Sequence, residues 1–298
     1  NAIPIPYFGT NVFAAPGIGT ISGLVMFGLG AMWLQSRANK AQSKGEGYGV
    51  DTQESEKLID GVTSQGHMPV LLALLPLLLV IGVNALFTYA IFPSVDFSNL
   101  KELYPKLEPA KQTGLWSLII ALVVACLSLI LFRLGKWNNL KETVNKGVLG
   151  SMLPIFNTAS EVGYGAVVAS LAGFVVIRDM VLNVSSNPLV SEAVAMNVLA
   201  GITGSSSGGM SIALQTLGGD YLAMANAAGI SPELLHRIAA LAAGCLDTLP
   251  HSGAVITLLA ICGMTHKQSY GNVAMCTVVI PMVSVTVAIT LGTVFGSF

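Results

Sequence analysis

The chain has 298 residues, of which only 10% are charged, and its formal net charge is −1. Soluble proteins have about 25% charged residues, so this composition is typical of a membrane protein. The charge balance excludes the basic surface that a nucleic-acid-binding protein needs. All four cysteines lie in apolar segments, without the paired spacing of a zinc site or a disulfide framework. We therefore expect neither a metal nor a cofactor.

Four uncharged segments predict membrane-spanning helices, because a helix needs about 20 apolar residues to cross a bilayer. Three of them are predicted at 11–35, 68–92 and 113–132, and the last at 272–295. A surface helix of a soluble protein would show a charged stripe every three or four positions, and these segments have none. The sequence thus predicts an all-α polytopic membrane protein in which residues 1–146 form plain transmembrane spans.

Polar loops separate the first spans. The longest covers 37–66 and has a predicted short helix at 52–59, and two more loops cover 93–112 and 133–146. The first and third loops have four Lys and Arg residues each and the second has three. The positive-inside rule therefore places the first and third loops in the cytoplasm. Within the spans, Asn84 is expected to form an interhelical hydrogen bond.

Residues 147–298 show a different pattern, in which three polar islands interrupt apolar segments about half a span long. The islands cover 157–163, 203–209 and 246–253. An unpaired backbone polar group at membrane depth costs several kcal/mol, so such segments line a cavity or are buried in protein. Interrupted hydrophobic segments also indicate the binding site of a transporter. We therefore predict that 147–298 is the transport region, made of a hairpin and broken helices.

The first island is predicted to be the tip of a re-entrant hairpin with apolar arms at 147–156 and 164–177. A helix N-terminus at this tip would suit an anionic carboxylate. Glu161 is either a proton-coupling group or a solvated cap at the interface, because a charged carboxylate costs about 2.5–3.5 kcal/mol at the bilayer centre. Arg178 and Asp179 are expected to mark the membrane exit of the second arm. The candidate substrate-binding residues here are Asn157, Thr158, Ser160 and Gly163.

The second island is predicted to interrupt one discontinuous helix, with halves at 193–202 and 210–217. It lacks the Gly-Lys-Ser/Thr of a phosphate-binding loop, so we expect no nucleotide site. The run 204–208 fits the Gly-x-Ser-x-Gly pattern of serine hydrolases, but that pattern requires a strand-to-helix turn, so we expect no enzyme. The alternative role is close helix packing through small residues. The candidate substrate-binding residues are Thr203, Ser205, Ser206 and Ser207.

The third island is predicted to form a second broken helix or another hairpin, with apolar halves at 238–245 and 254–263. Asp247 and His251 are four residues apart, a spacing that places two side chains on one helical face unless Pro250 interrupts the helix. Intramembrane Asp and His residues are typical of proton relays. We therefore predict proton coupling by Asp247 and His251. The alternative is a polar pair that only stabilises packing.

The three islands together resemble the gluconate permease (GntP) family, in the stretches NTASEVGYG, NVLAGITGSSSGGM and LDTLPHSGAV. The resemblance implies a proton-coupled symporter of small hydroxy-carboxylates such as gluconate or 3-hydroxybutyrate, in a bacterial inner membrane. It implies the ion-transporter architecture, a homodimer by analogy, and a substrate site lined by 157–163 and 203–209. Members of that family are longer, and this chain begins at Asn1 in a Pro-rich stretch, so we expect an upstream portion with a first hairpin.

Other functions stay open on the sequence alone. Sodium could replace the proton as the coupling ion. A channel would need a continuous polar pore lining, whereas the polarity here is confined to islands. A structural membrane subunit would tolerate replacement of the island serines and of Asp247 without loss of activity.

Overall fold

The computed structural model describes residues 1–46, 70–104, 109–132 and 139–298. Every regular element in these residues is helical, which confirms the prediction of an all-α polytopic membrane protein. The predicted helix at 52–59 and most of the predicted loop at 37–66 lie outside the described residues. The predicted orientation of the loops stays a prediction.

Four helical segments are long and apolar enough to cross a membrane. They are Pro16–Ser43, Leu74–Ser94, Gln112–Phe132 and His266–Phe295, and they confirm the four predicted spans. Large apolar side chains such as Phe27 are exposed on them, as expected where helices face lipid tails. The α-helices in chain order are α1 Ile5–Phe8, α2 Pro16–Ser43, α3 Val70–Leu86, α4 Ser98–Leu103, α5 Pro109–Phe132, α6 Leu140–Ser170, α7 Phe174–Leu182, α8 Pro188–Thr203, α9 Ser206–Ala227, α10 Pro232–Ala242, α11 Gly253–Ile261, α12 His266–Ala274 and α13 Ile280–Phe295. Short π-helical segments, Phe87–Ile91 and Met275–Val279, follow α3 and α12, and a 3-10 turn, Phe92–Ser94, ends the second span.

Helices α3 and α5 pack together around a small polar group. Asn84 is buried on α3, and the hydroxyl of Thr88, one turn later, lies 3.4 Å from its Oδ1. The same hydroxyl lies 3.0 Å from the Ser117 hydroxyl on α5. The predicted direct bond from Asn84 to another helix is therefore replaced by a link through Thr88. Asn84 Nδ2 itself has no partner among the described residues.

The hairpin predicted around the first island is wrong. Residues 157–163 lie in the middle of α6, a single helix of 31 residues. Asn, Thr, Ser and Gly each cost a helix interior only about 0.5–1 kcal/mol relative to Ala, so a polar run need not end a helix. Serine hydroxyls on α6 bond to carbonyls of their own helix, as Ser170 does to Val167. The chain turns after Ser170 instead, before α7 begins at Phe174.

The single discontinuous helix predicted around the second island is also wrong, because α8 and α9 form an antiparallel hairpin. Near the turn, a Cβ at Gly209 would lie 2.2 Å from the backbone N of Ala200, so the two helices touch there. Far from the turn, the Tyr221 hydroxyl on α9 donates to the Ser191 carbonyl on α8 over 3.2 Å. Helix α8 has 16 residues and is about 24 Å long, short of the ~30 Å hydrocarbon core.

The interruption predicted at the third island is present. Helix α10 ends at Ala242 and α11 begins at Gly253, with turns over 243–252. Helices α10 and α11 are not among the helix pairs that pack closely within the described residues. Of the two predicted alternatives, the broken helix is therefore the one that forms.

The buried core lies around the α8–α9 hairpin and α10. Large side chains in it, such as Leu189, Leu217 and Leu235, have no exposed surface. The short α1 packs against α5, α9 and α10, and α13 packs against α2 and α10. The hairpin is thus surrounded by helices, while the spanning helices expose apolar side chains outward.

Candidate functional site

The turn between α8 and α9, residues 203–207, is called the hairpin tip below. Gly204 has a φ of +64°, a left-handed conformation that favours glycine and that ends α8. Ser205 is the N-cap of α9, and its side chain accepts a hydrogen bond from the backbone N–H of Gly208 over 3.2 Å. Its hydroxyl also lies 3.2 Å from that of Ser207. The candidate serines therefore gather at the positive end of a helix dipole.

Thr203 has a mainly structural position at the tip. Its hydroxyl donates to the Leu199 carbonyl of its own helix over 2.9 Å. The same hydroxyl lies 3.1 Å from the Ser205 carbonyl across the turn. Thr203 therefore holds the turn closed, and it is half-buried.

The hairpin tip packs against the interruption at 243–252. The Ser252 hydroxyl donates to the Gly204 carbonyl over 3.0 Å. The His251 ring also lies against the turn, because a Cβ at Gly204 would be 3.2 Å from His251 Cδ2. One turn earlier on α8, a Cβ at Gly201 would lie 3.3 Å from the Cβ of Leu246. The second and third islands, about 40 residues apart in sequence, therefore form one site.

Asp247 lies at the N-terminal end of α9. Its side chain lies close to Ser206, the first residue of α9. Its Oδ1 atom is buried and has no hydrogen-bond partner among the described residues. An anionic carboxylate is stabilised at a helix N-terminus by the dipole and the free N–H groups. One oxygen of Asp247 is therefore buried at this helix end without a partner among the described residues.

Asp247 and His251 do not form the helical pair that their spacing predicts. Residues 243–252 are turns and not helix, so four positions no longer bring side chains to one face. The Asp247 side chain contacts Ser206, and the exposed His251 contacts Gly204. Pro250, which cannot continue a helix, lies between them. The proton-coupling roles of both residues stay a prediction.

The last membrane span holds the interruption in place through three polar contacts. His266 Nε2 lies 2.9 Å from the Pro250 carbonyl, and the Tyr270 hydroxyl donates to the Thr248 carbonyl over 3.2 Å. The Thr248 and Thr277 hydroxyls are 2.7 Å apart. Sequence reasoning missed these partners. Tyr270 and Thr277 lie four and eleven residues after His266, a spacing that places the three side chains on one face of a helix. That polar face was the feature of the sequence that could have indicated them.

Helix α6, which contains the first island, packs against α9, the helix that begins at the hairpin tip. Ser160 and Gly163 are exposed on α6, and a Cβ at Gly163 would meet no atom within 4 Å. The side chains of Asn157, Thr158 and Glu161 lie outside the described part of the structure. Their assignment to the substrate site and to proton coupling stays a prediction.

Two further charged groups have positions that the sequence did not indicate. Arg178 donates three hydrogen bonds to Asp220, the shortest of 2.9 Å, and these bonds tie α7 to α9. Arg178 and Asp179 were expected only to mark a membrane exit.

Glu192 on α8 has no exposed surface, and neither of its carboxylate oxygens has a hydrogen-bond partner in the described residues. Within those residues no three His, Cys, Asp or Glu side chains are grouped to hold a metal ion.

Comparison with known proteins gives one informative relative. The chain is 41% identical over 288 residues to a Bacillus subtilis (strain 168) protein named "Uncharacterized transporter YxjC". The aligned region covers 92% of this chain and 60% of that relative. No protein-family model matches the chain, and no solved structure matches it. The chain is thus similar, over almost all of its own length, to part of a longer bacterial protein that is named as a transporter.

Proposed function

We propose that the protein is a proton-coupled secondary transporter of small hydroxy-carboxylates such as gluconate or 3-hydroxybutyrate, in a bacterial inner membrane. The observation that carries the proposal is the contact of the hairpin tip with the interrupted helix, in which Ser252 bonds to Gly204. Meeting ends of broken helices are the usual construction of a carrier's binding site. The 41% identity to a protein named as a transporter supports the same class of function. The resemblance of the islands to the gluconate permease family supports the substrate class.

The chemistry of the tip fits a carboxylate substrate. The first turn of a helix has N–H groups without partners inside the helix, and the dipole there favours an anion. Ser205 and Ser207 place two hydroxyl groups, 3.2 Å apart, at this helix end, and in this proposal the substrate exchanges hydrogen bonds with them. In this proposal the tip binds the carboxylate, and the further hydroxyl groups of the substrate bond to polar groups of the interruption.

Proton coupling follows from the presence of Asp247 at the same helix end. A substrate carboxylate about 4 Å from a charged Asp247 would be repelled by roughly 4 kcal/mol at an effective dielectric constant of 20. Protonation of Asp247 removes this repulsion, so anion and proton bind together. The unpartnered Oδ1 of Asp247 is the atom that takes the proton. A sodium ion on the same oxygen would neutralise the charge equally, and is the second candidate.

Uptake into proteoliposomes tests the proposal. The full-length protein is reconstituted, and uptake of radiolabelled gluconate and 3-hydroxybutyrate is measured with and without an imposed pH gradient. We expect saturable uptake that follows the pH gradient and that Asp247→Asn abolishes. Asp96→Asn is the matched control, because Asp96 lies in a loop after the second span and its partner among the described residues is Ser98. It should transport like the unmodified protein.

Three results would contradict parts of the proposal. Uptake that ignores the pH gradient and follows sodium would reject the proton as the coupling ion. Conductance that does not saturate would identify a channel. No uptake of either acid would reject the substrate class.

A further inference from the structure

Glu192 is the most deeply buried acidic group in the described residues. It lies on α8, eleven residues before Thr203, which is about 16 Å along the helix axis. None of its surface is exposed, and both oxygens of its carboxylate are without a hydrogen-bond partner among the described residues. It is therefore well separated from Asp247 and the hairpin tip, and the proposed transport site does not explain it.

Among the described residues, no counter-charge compensates Glu192 from the helices around it. Helix α8 packs against α7, α9, α10 and α13. Tyr221 lies within Coulombic range of Glu192, but its hydroxyl donates to the Ser191 carbonyl. The titratable side chains on these four helices are Arg178 and Asp179 on α7, Asp220 and Tyr221 on α9, and Glu233, His236 and Arg237 on α10, with none on α13.

The cations in this set are engaged elsewhere. Arg178 bonds to Asp220. The guanidinium of Arg237 donates to the Ala14 carbonyl over 2.8 Å. His236 Nδ1 lies 2.6 Å from the Thr10 hydroxyl. Both arginines thus have partners of their own. The other ring nitrogen of His236, Nε2, is buried and has no partner among the described residues, and neither oxygen of Glu192 bonds to any of these three groups.

A carboxylate in such surroundings is stable only in its neutral form. A charge taken out of water needs a close partner or hydrogen bonds to offset its lost hydration, and Glu192 has neither. The neutral acid does not stabilise the packing either, because it makes no hydrogen bond that an apolar side chain of the same size would lack. The property that distinguishes Glu192 from a leucine at this position is its ability to gain and lose a proton.

We propose that Glu192 is a second proton-binding site of the transporter, occupied while α8 is packed against α9 and α10. When the hairpin separates from its neighbours during transport, water reaches the carboxyl group and the proton leaves to it. The group then has to take a proton from water again before the hairpin can repack. The link to transport rests on the function proposed above, whereas the protonated state of Glu192 does not.

Infrared spectroscopy of the full-length protein tests the protonated state directly. A protonated carboxyl group has a C=O stretching band that a carboxylate lacks. We expect the protein at neutral pH to show this band and Glu192→Gln to lose it. Glu233→Gln is the matched control, because Glu233 is exposed on the first turn of α10, and it should keep the band. An unchanged band in Glu192→Gln would overturn the proposal.

Transport measurements test the coupling. Glutamine has the shape of a protonated Glu but cannot release a proton. Glu192→Gln should therefore exchange labelled for unlabelled substrate at equal pH, and should lose accumulation driven by a pH gradient at least tenfold. Retention of full gradient-driven accumulation, or loss of exchange along with accumulation, would overturn the proposal. If the unmodified protein carries neither acid, the proposed function fails, and the infrared result still decides the protonation of Glu192.

Discussion

Substitution of Gly209 by alanine should force the two arms of the hairpin apart. A Cβ at this position would lie 2.2 Å from the backbone N and 2.3 Å from the Cα of Ala200, whereas ordinary contacts begin at 3.4 Å. The arms must therefore separate by about 1 Å, since backbone atoms cannot rotate away as a side chain can. Overpacking of this kind costs about 1–3 kcal/mol. We expect Gly209→Ala to lower the free energy of unfolding by that amount.

Gly219→Ala is the control for this prediction. Gly219 lies on the same helix, α9, and a Cβ there would meet no atom within 4 Å. Alanine favours a helix over glycine by roughly 0.5–1 kcal/mol, so this variant should be slightly more stable than the unmodified protein. The free energy of unfolding of both variants can be measured in mixed micelles by titration with a denaturing detergent.

The same shift should reduce substrate binding. Gly204, whose carbonyl accepts the hydrogen bond from Ser252, lies five residues before Gly209. A shift of α9 at Gly209 therefore moves the hairpin tip relative to the interruption at 243–252. We expect weaker substrate binding in Gly209→Ala and unchanged binding in Gly219→Ala. Equal stability of the two variants would refute the close approach of α8 and α9 on which the hairpin depends.

Two more predictions concern contacts that hold the hairpin. Ser252→Ala removes the donor to the Gly204 carbonyl and should lower the free energy of unfolding by about 0.5–1.5 kcal/mol. Ser151→Ala, at an exposed position of α6, should change it by less than half as much; the opposite order would contradict the contact. A double-mutant cycle with Arg178→Ala and Asp220→Ala should give a coupling of about 0.5–1 kcal/mol that weakens with salt, because both side chains are partly exposed. A coupling that is absent at low salt would exclude this ion pair.

The membrane spans could be predicted from composition because each one depends only on its own residues. A segment without charge over 20 residues is stable in lipid whatever surrounds it. The described helices Leu74–Ser94 and Gln112–Phe132 therefore lie where the sequence predicted them. The break at Gly204 and Ser205 was also readable locally, since glycine ends a helix in the left-handed conformation and serine begins the next one.

The hairpin could not be assigned to the correct island because polarity alone does not turn a chain back. Residues 157–163 and 203–209 are both polar islands, in which Gly, Ser and Thr make up three of seven residues in the first and all seven in the second. Helix α6 nevertheless continues through the first, and the chain reverses at the second. Reversal requires that the two arms pack closely over their length. That packing depends on the contact of Gly209 with Ala200, which pairs positions on separate helices.

The sequence by itself determined the class of protein, the spans and the two interruptions near Gly204 and Pro250, because hydrophobic length and turn residues act locally. Only the tertiary structure decided that these interruptions meet. It also showed that Asp247 contacts Ser206 and not His251, and that Glu192 is fully buried without a partner. These properties depend on which helices lie side by side. Packing between distant segments sets that arrangement, and no short stretch of residues contains it.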